Sequence, residues 1–249
     1  EDAAAARALA DEIAAVGWER REAFRRNLLP ISEAVALAQK ADRAPIIFAD
    51  SGDNPGGGGT GRTSQFLEAL LAAEPGPERL YYGSFYDPPL AENAHEAGLG
   101  GTITANFNTL PGTQYDRPVT VEAKVVGLND GDVVGRLGLF AGRTMKLGKA
   151  AALQVGGMTI IVISDRTQTA DPMFFEVFGL DIAQAHTVVV KSRGHFRAGF
   201  RPWFAPEQVY EIDTEGLTSP VLERRQWQYL PRPVFPLDED VTWQPASAE

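Results

Sequence analysis

The segment from Pro45 to Thr63 reads PIIFADSGDNPGGGGTGRT and determines the fold that the sequence predicts. Its first part, Ile46 to Ala49, is an unbroken apolar run, which is typical of a short strand buried on both faces. A glycine-rich loop follows, and a helical pattern begins after it, with Thr60 and Thr63 as candidate N-caps. In an open α/β sheet, such a strand–loop–helix junction lies at the carboxyl edge of the strands, where ligands bind.

The loop contains four consecutive glycines, Gly56 to Gly59. Glycines cost backbone entropy on ordering, and they are favoured where the chain must approach another group closely or adopt positive φ. Free N–H groups at a helix N-terminus can bind an anion, although Asp50 and Asp53 would repel a phosphate. The loop lacks both the Lys-Ser/Thr ending of a P-loop and the glycine spacing of a dinucleotide site. We therefore expect a ligand-binding loop of another kind rather than a flexible connection.

Composition restricts the class of protein. The chain has 249 residues, a net charge of −10 and a hydrophobic content of 44%, which suits a globular protein with a sizeable core. The negative charge disfavours nucleic acid and anionic membranes as partners. No apolar run approaches the ~18 residues of a membrane span, and cysteine is absent. The predicted location is the cytoplasm.

The remaining pattern predicts an α/β fold with a mixed, largely parallel sheet flanked by helices. Helices are expected over residues 2–26, 32–41 and 64–73, from Asp87-Pro-Pro to Gly98, and over the short segment 173–179. Further buried or half-buried strands are expected over 79–84, 159–164, 187–190 and 208–213. Residues 102–163 contain short β-rich runs and no helical pattern, and they predict an antiparallel meander, either an insertion or an extension of the sheet. Within it, Asn129-Asp130-Gly131 is a hairpin signal.

Polar clusters follow three of these strands and begin at Asp50, Ser164 and Lys191. If the strands are parallel, all three clusters open onto one edge of the sheet. Lys191 directly follows three valines, so its ammonium group is expected to be either paired or used in function. A salt bridge to Asp50 or Asp53 and a role in substrate binding remain equally open.

The sequence offers few groups for nucleophilic or metal chemistry. His195 could act as a general base or a hydrogen-bond donor, or it could cap the following helix. Ser192 lacks the GxSxG context of a serine hydrolase. The histidines, His95, His186 and His195, are scattered, and no HExxH motif occurs. Asp50 and Asp53 could hold a hard cation, but the loop lacks the spacing of an EF-hand, and no metal ligands are assigned within this chain.

Four segments resemble the C-terminal domain of the microcystinase C family of M81 metallopeptidase-like proteins. They read DSGDNPGGGGTG, AHEAGLG, ISDRTQTADPMFF and VVVKSRGHFRAGF. The resemblance covers roughly Pro30 to Asp238, and the combination of the first and last segments is fairly specific. Arg62 stands where the family more often has an aspartate.

This resemblance implies that the intact protein has two domains. In the family, the zinc ligands lie in an N-terminal domain and include an Asp-x-His pair, which is missing here. Residues 1–29 would then be the last helix of that missing domain, 30–238 the C-terminal domain, and 239–249 an irregular tail. The chain would be an excised or separately encoded half, and we expect it to be inactive alone.

The function implied is that of a substrate-cleft domain in a zinc-dependent hydrolase of peptide or amide bonds. Candidate catalytic residues are His195 and Lys191. Candidate substrate contacts are Asp50, Asp53, Asn54, Gly56, Gly57, Gly58, Lys191, Ser192, His195 and Arg197. The expected partners are the N-terminal domain, a small peptide or amide substrate and a possible second copy of the chain. The alternatives are a non-catalytic module that binds a small anion and a dimerisation domain.

Overall fold

The computed structural model describes residues 2–40, 45–74 and 76–244. Its main sheet has eight strands in the order β10-β1-β9-β2-β8-β7-β4-β3. The strands from β10 to β8 in this order run parallel, and β7, β4 and β3 continue the sheet antiparallel. A separate two-stranded antiparallel sheet pairs β5 with β6. The predicted α/β class, with a largely parallel sheet and an antiparallel extension, is confirmed.

The bounds of the helices and strands are as follows. The helices are α1 Ala3–Glu19, α2 Ile31–Ala38, α3 Gln65–Leu71, α4 Pro88–Ala97, α5 Met173–Glu176 and α6 Phe196–Phe200. The strands are β1 Ile46–Ala49, β2 Leu80–Tyr86, β3 Thr102–Phe107, β4 Val119–Asn129, β5 Asp132–Val134, β6 Thr144–Lys146, β7 Ala150–Val155, β8 Met158–Ile163, β9 Thr187–Val190 and β10 Val209–Glu211.

Alternation along the central strands divides the core into two apolar clusters, one on each face of the sheet. Phe48 of β1 and Val189 of β9 belong to the cluster that α2, α3 and α4 cover. Ile47 and Val188 belong to the other cluster, which includes residues of α5 and α6. Successive side chains of a strand point to opposite faces of the sheet. Since an apolar cluster covers each face, every residue of β1 and β9 is buried, as the apolar runs predict.

Three local predictions were wrong. Helix α1 ends at Glu19 and a 3-10 turn follows at Arg21–Phe24, where one helix over 2–26 was expected. Helix α3 has Ser64 at its N-cap position, and this side chain makes no capping hydrogen bond. The hydroxyls of the predicted caps Thr60 and Thr63 donate to aspartates instead. The predicted helix over 32–41 ends at Ala38, and residue 41 lies outside the described residues.

The turn at Asn129 forms, but it does not join paired strands. Gly131 N–H donates to the side-chain oxygen of Asn129 at 3.0 Å, as a turn signal predicts. However, β4 pairs with β3 and β7, whereas β5 pairs with β6 in the separate sheet. The hairpin prediction was therefore wrong, because the sequence signal fixes the local turn and not the partner of the strand.

The chain divides into two compact units. One consists of Leu28–Ser219 and contains the main sheet, and the other consists of Glu1–Asn27 with Pro220–Glu249. Helix α1 in the second unit buries none of its side chains. Residues 245–249 of the predicted irregular tail lie outside the described part of the chain. Among described residues, no helix is long and apolar enough to cross a membrane.

Candidate active-site cleft

The parallel strands bring the predicted polar clusters to the same edge of the sheet. Strands β1 and β9 are neighbours, and β2 separates β9 from β8. The ladder continues one residue beyond each strand, since Asp50 N–H donates to the carbonyl of Val190 and Lys191 N–H donates to that of Gly83. Asp50 and Lys191 therefore lie side by side, where the polar loops of three strands converge.

Lys191 is the centre of a buried ionic cluster. Its Nζ lies 2.9 Å from Asp50 Oδ2 and 2.9 Å from Asp53 Oδ2, and it donates to the carbonyl of Thr63 at 2.8 Å. The side chains of the lysine and of both aspartates are at most 1% exposed. Burial alone would lower the pKa of Lys191, but the two carboxylates outweigh that effect and raise it. Lys191 is therefore charged and links two strand ends.

The two aspartates of the cluster have different environments. Burial raises the pKa of Asp50, and Lys191 offsets this only in part. Burial would also raise the pKa of Asp53, but Lys191 and the N–H groups of Gly61 and Thr63 outweigh it and hold that pKa below its usual value. Both N–H groups donate at 2.8 Å. Asp53 thus holds the negative charge that fixes the loop to Lys191.

The glycine loop is an ordered turn. The N–H groups of Gly57 and Gly59 each donate to the carbonyl of Asn54 at 2.9 Å, and Gly58 N–H donates to Pro55. Gly56 N–H bonds the Asn54 side chain at 3.2 Å. These amides are satisfied within the loop, so they are not the free N–H groups that an anion site requires. The surface of Gly56, Gly57 and Gly58 is nevertheless exposed.

His195 and Gln168 lie beside this turn. The side-chain amide of Gln168 is 3.1 Å from Nδ1 of His195, and a Cβ on Gly56 would be 2.2 Å from the Gln168 side-chain oxygen. Arg166 reaches the carbonyl of Gly59 at 3.4 Å. His195 itself is exposed. The glycine turn, His195 and Arg166 therefore form one polar surface at the strand ends, with the buried side chain of Gln168 beneath it.

The predicted site residues separate into exposed and buried groups. Gly56, Gly57, Gly58, His195 and Arg197 are exposed, Asn54 is partly exposed, and Asp50, Asp53, Lys191 and Ser192 are buried. In this conformation Asp50, Asp53 and Lys191 can act only through the loop that they support. The buried hydroxyl of Ser192 has no hydrogen-bond partner among the described residues. The direct substrate contacts remain a prediction for the exposed group.

Sequence reasoning missed several residues that hold the loop. Thr214 donates to Asp50 at 2.5 Å, and Thr218 accepts the N–H of Asn54 at 2.8 Å. Both follow β10 in a segment with no recognisable motif. Gln168 is different, because it belongs to a polar cluster that the strand pattern had already placed at this edge.

Arg62, the residue that departs from the family pattern, contacts the connection between β3 and β4. Its guanidinium donates to the Asn108 side chain at 3.2 Å, and to the carbonyls of Pro111 and Leu110 at 3.0 and 2.7 Å. The Arg62 guanidinium therefore holds the β3–β4 connection, and the contacts that it makes there lie outside the glycine turn.

The MlrC C-terminus family model matches residues 48–229 of this chain. The chain belongs to this family. The match includes the glycine turn, Lys191 and His195, so the MlrC C-terminus region contains every residue of the candidate cleft.

Two relatives place this MlrC C-terminus domain within longer proteins. Microcystinase C from a Sphingomonas species is 32% identical over 166 residues, which is 67% of this chain and 32% of that protein. A solved structure from Mesorhizobium sp. BNC1, described as a candidate metallopeptidase, superposes with a TM-score of 0.77 and 25% identity. That match covers 95% of this chain and 46% of the other. The chain thus spans less than half the length of either relative.

The residues of the candidate cleft do not fit a metal ion. Within the described ranges, no group of three or more His, Cys, Asp and Glu side chains is arranged to hold one. Asp50 and Asp53 are the acidic pair at the strand ends, but the Lys191 ammonium occupies the position between them. No catalytic step of this chain can be derived through a metal on these side chains.

Proposed function

We propose that this chain is the substrate-cleft domain of a zinc-dependent hydrolase that cleaves peptide or amide bonds. The zinc ligands would lie outside this chain, in an N-terminal domain of the intact protein. Support comes from the family match and from the two relatives, one named Microcystinase C and the other described as a candidate metallopeptidase. In this proposal, residues 1–29 come from the end of the N-terminal domain.

The observation that carries the proposal is the exposed glycine turn held rigidly by a buried ionic cluster. Asp53 accepts two backbone N–H groups of the loop and is paired with Lys191. A polypeptide substrate can approach the turn closely at Gly58, where a Cβ would meet nothing within 4 Å, whereas the missing side chain of Gly56 leaves room for Gln168. Holding such a surface in one conformation reduces the entropy lost when a substrate binds.

The roles of the candidate residues follow from their exposure. His195 and the turn Gly56–Gly58 would contact substrate, and Gln168 would orient the His195 ring through Nδ1. Lys191, Asp50 and Asp53 would be positioning residues, because they are buried beneath the turn. Arg197 lies on α6, and its guanidinium pairs with Glu211 at 3.3 Å. To contact substrate, the Arg197 side chain would have to leave this ion pair or bind the substrate with its remaining N–H groups.

The test uses the intact protein, encoded by the full reading frame, with linear peptides as substrates. We expect His195→Gln to lower kcat/KM by about tenfold or more, the scale of losing a positioned proton donor or acceptor, while the melting temperature stays unchanged. Lys124→Gln is the remote control, because Lys124 is exposed on β4. Equal kcat/KM in His195→Gln and wild type would remove His195 from the proposed site.

The alternatives are weaker on specific grounds. A module that binds a small anion needs free N–H groups at the loop, but those of Gly56 to Gly59 are engaged. A homo-oligomer and a cytoplasmic location remain predictions of the sequence. If the intact protein fails to hydrolyse any peptide or amide with zinc present, the enzyme proposal is wrong and a binding or dimerisation module becomes the better account.

A further inference from the structure

A second cavity lies on the sheet face that α6 covers. Its volume is about 380 Å³. Ile47, Phe200 and Phe204 form its floor and are themselves buried, so the apolar surface open to a ligand comes from Val209, Ala205 and Pro206. Ile47 and Val209 are direct neighbours across the parallel pair of β1 and β10. A cavity of this size is at the lower end of the range of small-molecule sites, which are mostly apolar with a few placed polar groups.

This cavity is separate from the glycine turn. Ile47 precedes Asp50 by three residues, which is about 10 Å along a strand. Ile47 also belongs to the apolar cluster that contains Phe196 and Phe200, whereas its neighbour Phe48 belongs to the cluster on the opposite face. A molecule in the cavity would therefore not occupy the proposed substrate surface around Gly56–Gly58.

Two arginines of the α6 segment line the same cavity. Arg197 and Arg201 are four residues apart, so they lie on one side of the helix. Arg197 is paired with Glu211. Arg201 forms no side-chain ion pair or hydrogen bond with the described part of the chain, and none of the described lining residues is acidic. The cavity thus combines apolar walls with one uncompensated positive charge, in a chain whose net charge is −10.

We propose that this cavity binds a small amphipathic carboxylate, the class represented by a medium-chain fatty acid. The apolar body would pack against Val209, Ala205 and Pro206, above the buried rings of Phe200 and Phe204. The carboxylate would accept hydrogen bonds from the guanidinium of Arg201, with Arg197 close to it. Arginine suits this task because its planar fork matches a carboxylate and stays charged. Among the described lining residues, Arg197 is the one that this cavity shares with the proposed substrate contacts of the hydrolase, and the tests below therefore change Arg201.

The test measures binding to the 249-residue chain by titration calorimetry, with octanoate, hexanoate and 1-octanol as probes. We expect one octanoate site per chain. Octanoate should bind about fifteenfold more tightly than hexanoate, because each buried methylene contributes about fourfold. It should also bind more tightly than 1-octanol, which has the same chain length and no charge.

Variants separate the charge from the cavity. Arg201→Gln should weaken octanoate binding about tenfold, the scale of a charged hydrogen bond, and should leave 1-octanol binding unchanged. Lys124→Gln removes one positive charge from an exposed position on β4, and this variant should bind octanoate as wild type does. Ala205→Leu fills the cavity wall and should abolish binding of both probes while the melting temperature is retained.

The proposal is overturned by any of three results. These are the absence of octanoate binding, equal affinities for octanoate and 1-octanol, and equal octanoate affinities in Arg201→Gln and Lys124→Gln. Because the assay reads binding by this chain alone, a failed hydrolase assay of the intact protein leaves its outcome unaffected.

Discussion

At the scale of single residues, Lys191 determines how the strand ends are held together. A buried lysine is unfavourable unless its charge is compensated, and here two carboxylates and the carbonyl of Thr63 surround it. Its Nζ also lies 5.9 and 5.5 Å from the ring centroids of Tyr82 and Phe85. Such an arrangement makes the ammonium group part of the core rather than part of a surface.

Removing this charge should destabilise the protein strongly. Lys191→Met keeps an apolar stem and leaves Asp50 and Asp53 buried with no cation, so we expect a loss of about 3–5 kcal/mol in the free energy of unfolding. Denaturant melts provide the measurement. Lys149→Met is the matched control, since Lys149 pairs with Glu92 at the surface and should leave the midpoint unchanged. An unchanged midpoint in Lys191→Met would contradict the buried cluster.

The two aspartates should respond differently to neutralisation. Asp53→Asn places an amide NH₂ against donors, because both carboxylate oxygens accept hydrogen bonds, and we expect a loss of about 3 kcal/mol. Asp50→Asn should cost about 1 kcal/mol, because the donor at one of its oxygens is the hydroxyl of Thr214, which can rotate and accept from the new amide, and because burial already disfavours the charged form of Asp50. Denaturant melts of both variants at neutral pH test this order, and the reverse order would contradict the assignment.

The same difference should appear as a dependence on pH. The pKa of Asp53 is lower in the folded state than in an ordinary exposed aspartate, because of Lys191 and the loop N–H groups. Its stabilising contribution is therefore present above the unfolded pKa and is lost as the pH falls through the folded pKa. We expect the stability gap between wild type and Asp53→Asn to narrow below about pH 4. Melts from neutral pH down to about pH 3 measure it, and a constant gap would count against a charged Asp53.

At the scale of elements, the glycine turn owes its shape to close backbone contacts. A Cβ on Gly59 would lie 2.7 Å from the backbone nitrogen of Asn54 and 2.8 Å from Asp53 Oδ1. Gly58 adopts a φ of 95°, a region that L-residues with side chains rarely occupy. The turn therefore requires glycine for its own conformation at these positions, while Gly56 and Gly57 present the exposed surface.

Gly59→Ala should consequently unfold or displace the turn. We expect a loss of about 2–4 kcal/mol in the free energy of unfolding, since the clash is with backbone and a buried carboxylate. Gly194→Ala is the control, because a methyl group at Gly194 would meet nothing within 4 Å and the φ of this residue is ordinary. The comparison of the two melting midpoints is the measurement, and equal midpoints would show that the loop is not held as described.

The sequence predicts the strands better than it predicts their partners. Asp50 and Lys191 were expected together because each follows a buried apolar run, and parallel strands end at one edge. The bond between Asn54 and Thr218 joins residues separated by 164 positions, and it depends on β10 lying beside β1. Strand order of that kind follows from packing of the whole sheet, so no local pattern could have indicated Thr218 or Thr214.

At the scale of the whole molecule, the core belongs to one compact unit. All members of the two apolar clusters lie between Leu29 and Ile212, within the unit Leu28–Ser219. We expect a fragment of residues 28–219 to unfold in one cooperative transition with the far-ultraviolet circular dichroism of a mixed α/β protein. A fragment with no cooperative transition would show that the remaining segments are needed for this core.

The central claim is that this chain supplies a substrate cleft to a zinc-dependent hydrolase without holding the metal. The most direct test is metal analysis of the purified 249-residue chain beside the intact protein, with peptide hydrolysis measured on the same samples. We predict zinc and chelator-sensitive hydrolysis in the intact protein, and neither in the chain alone. One tightly bound zinc per chain, accompanied by hydrolysis, would contradict the claim.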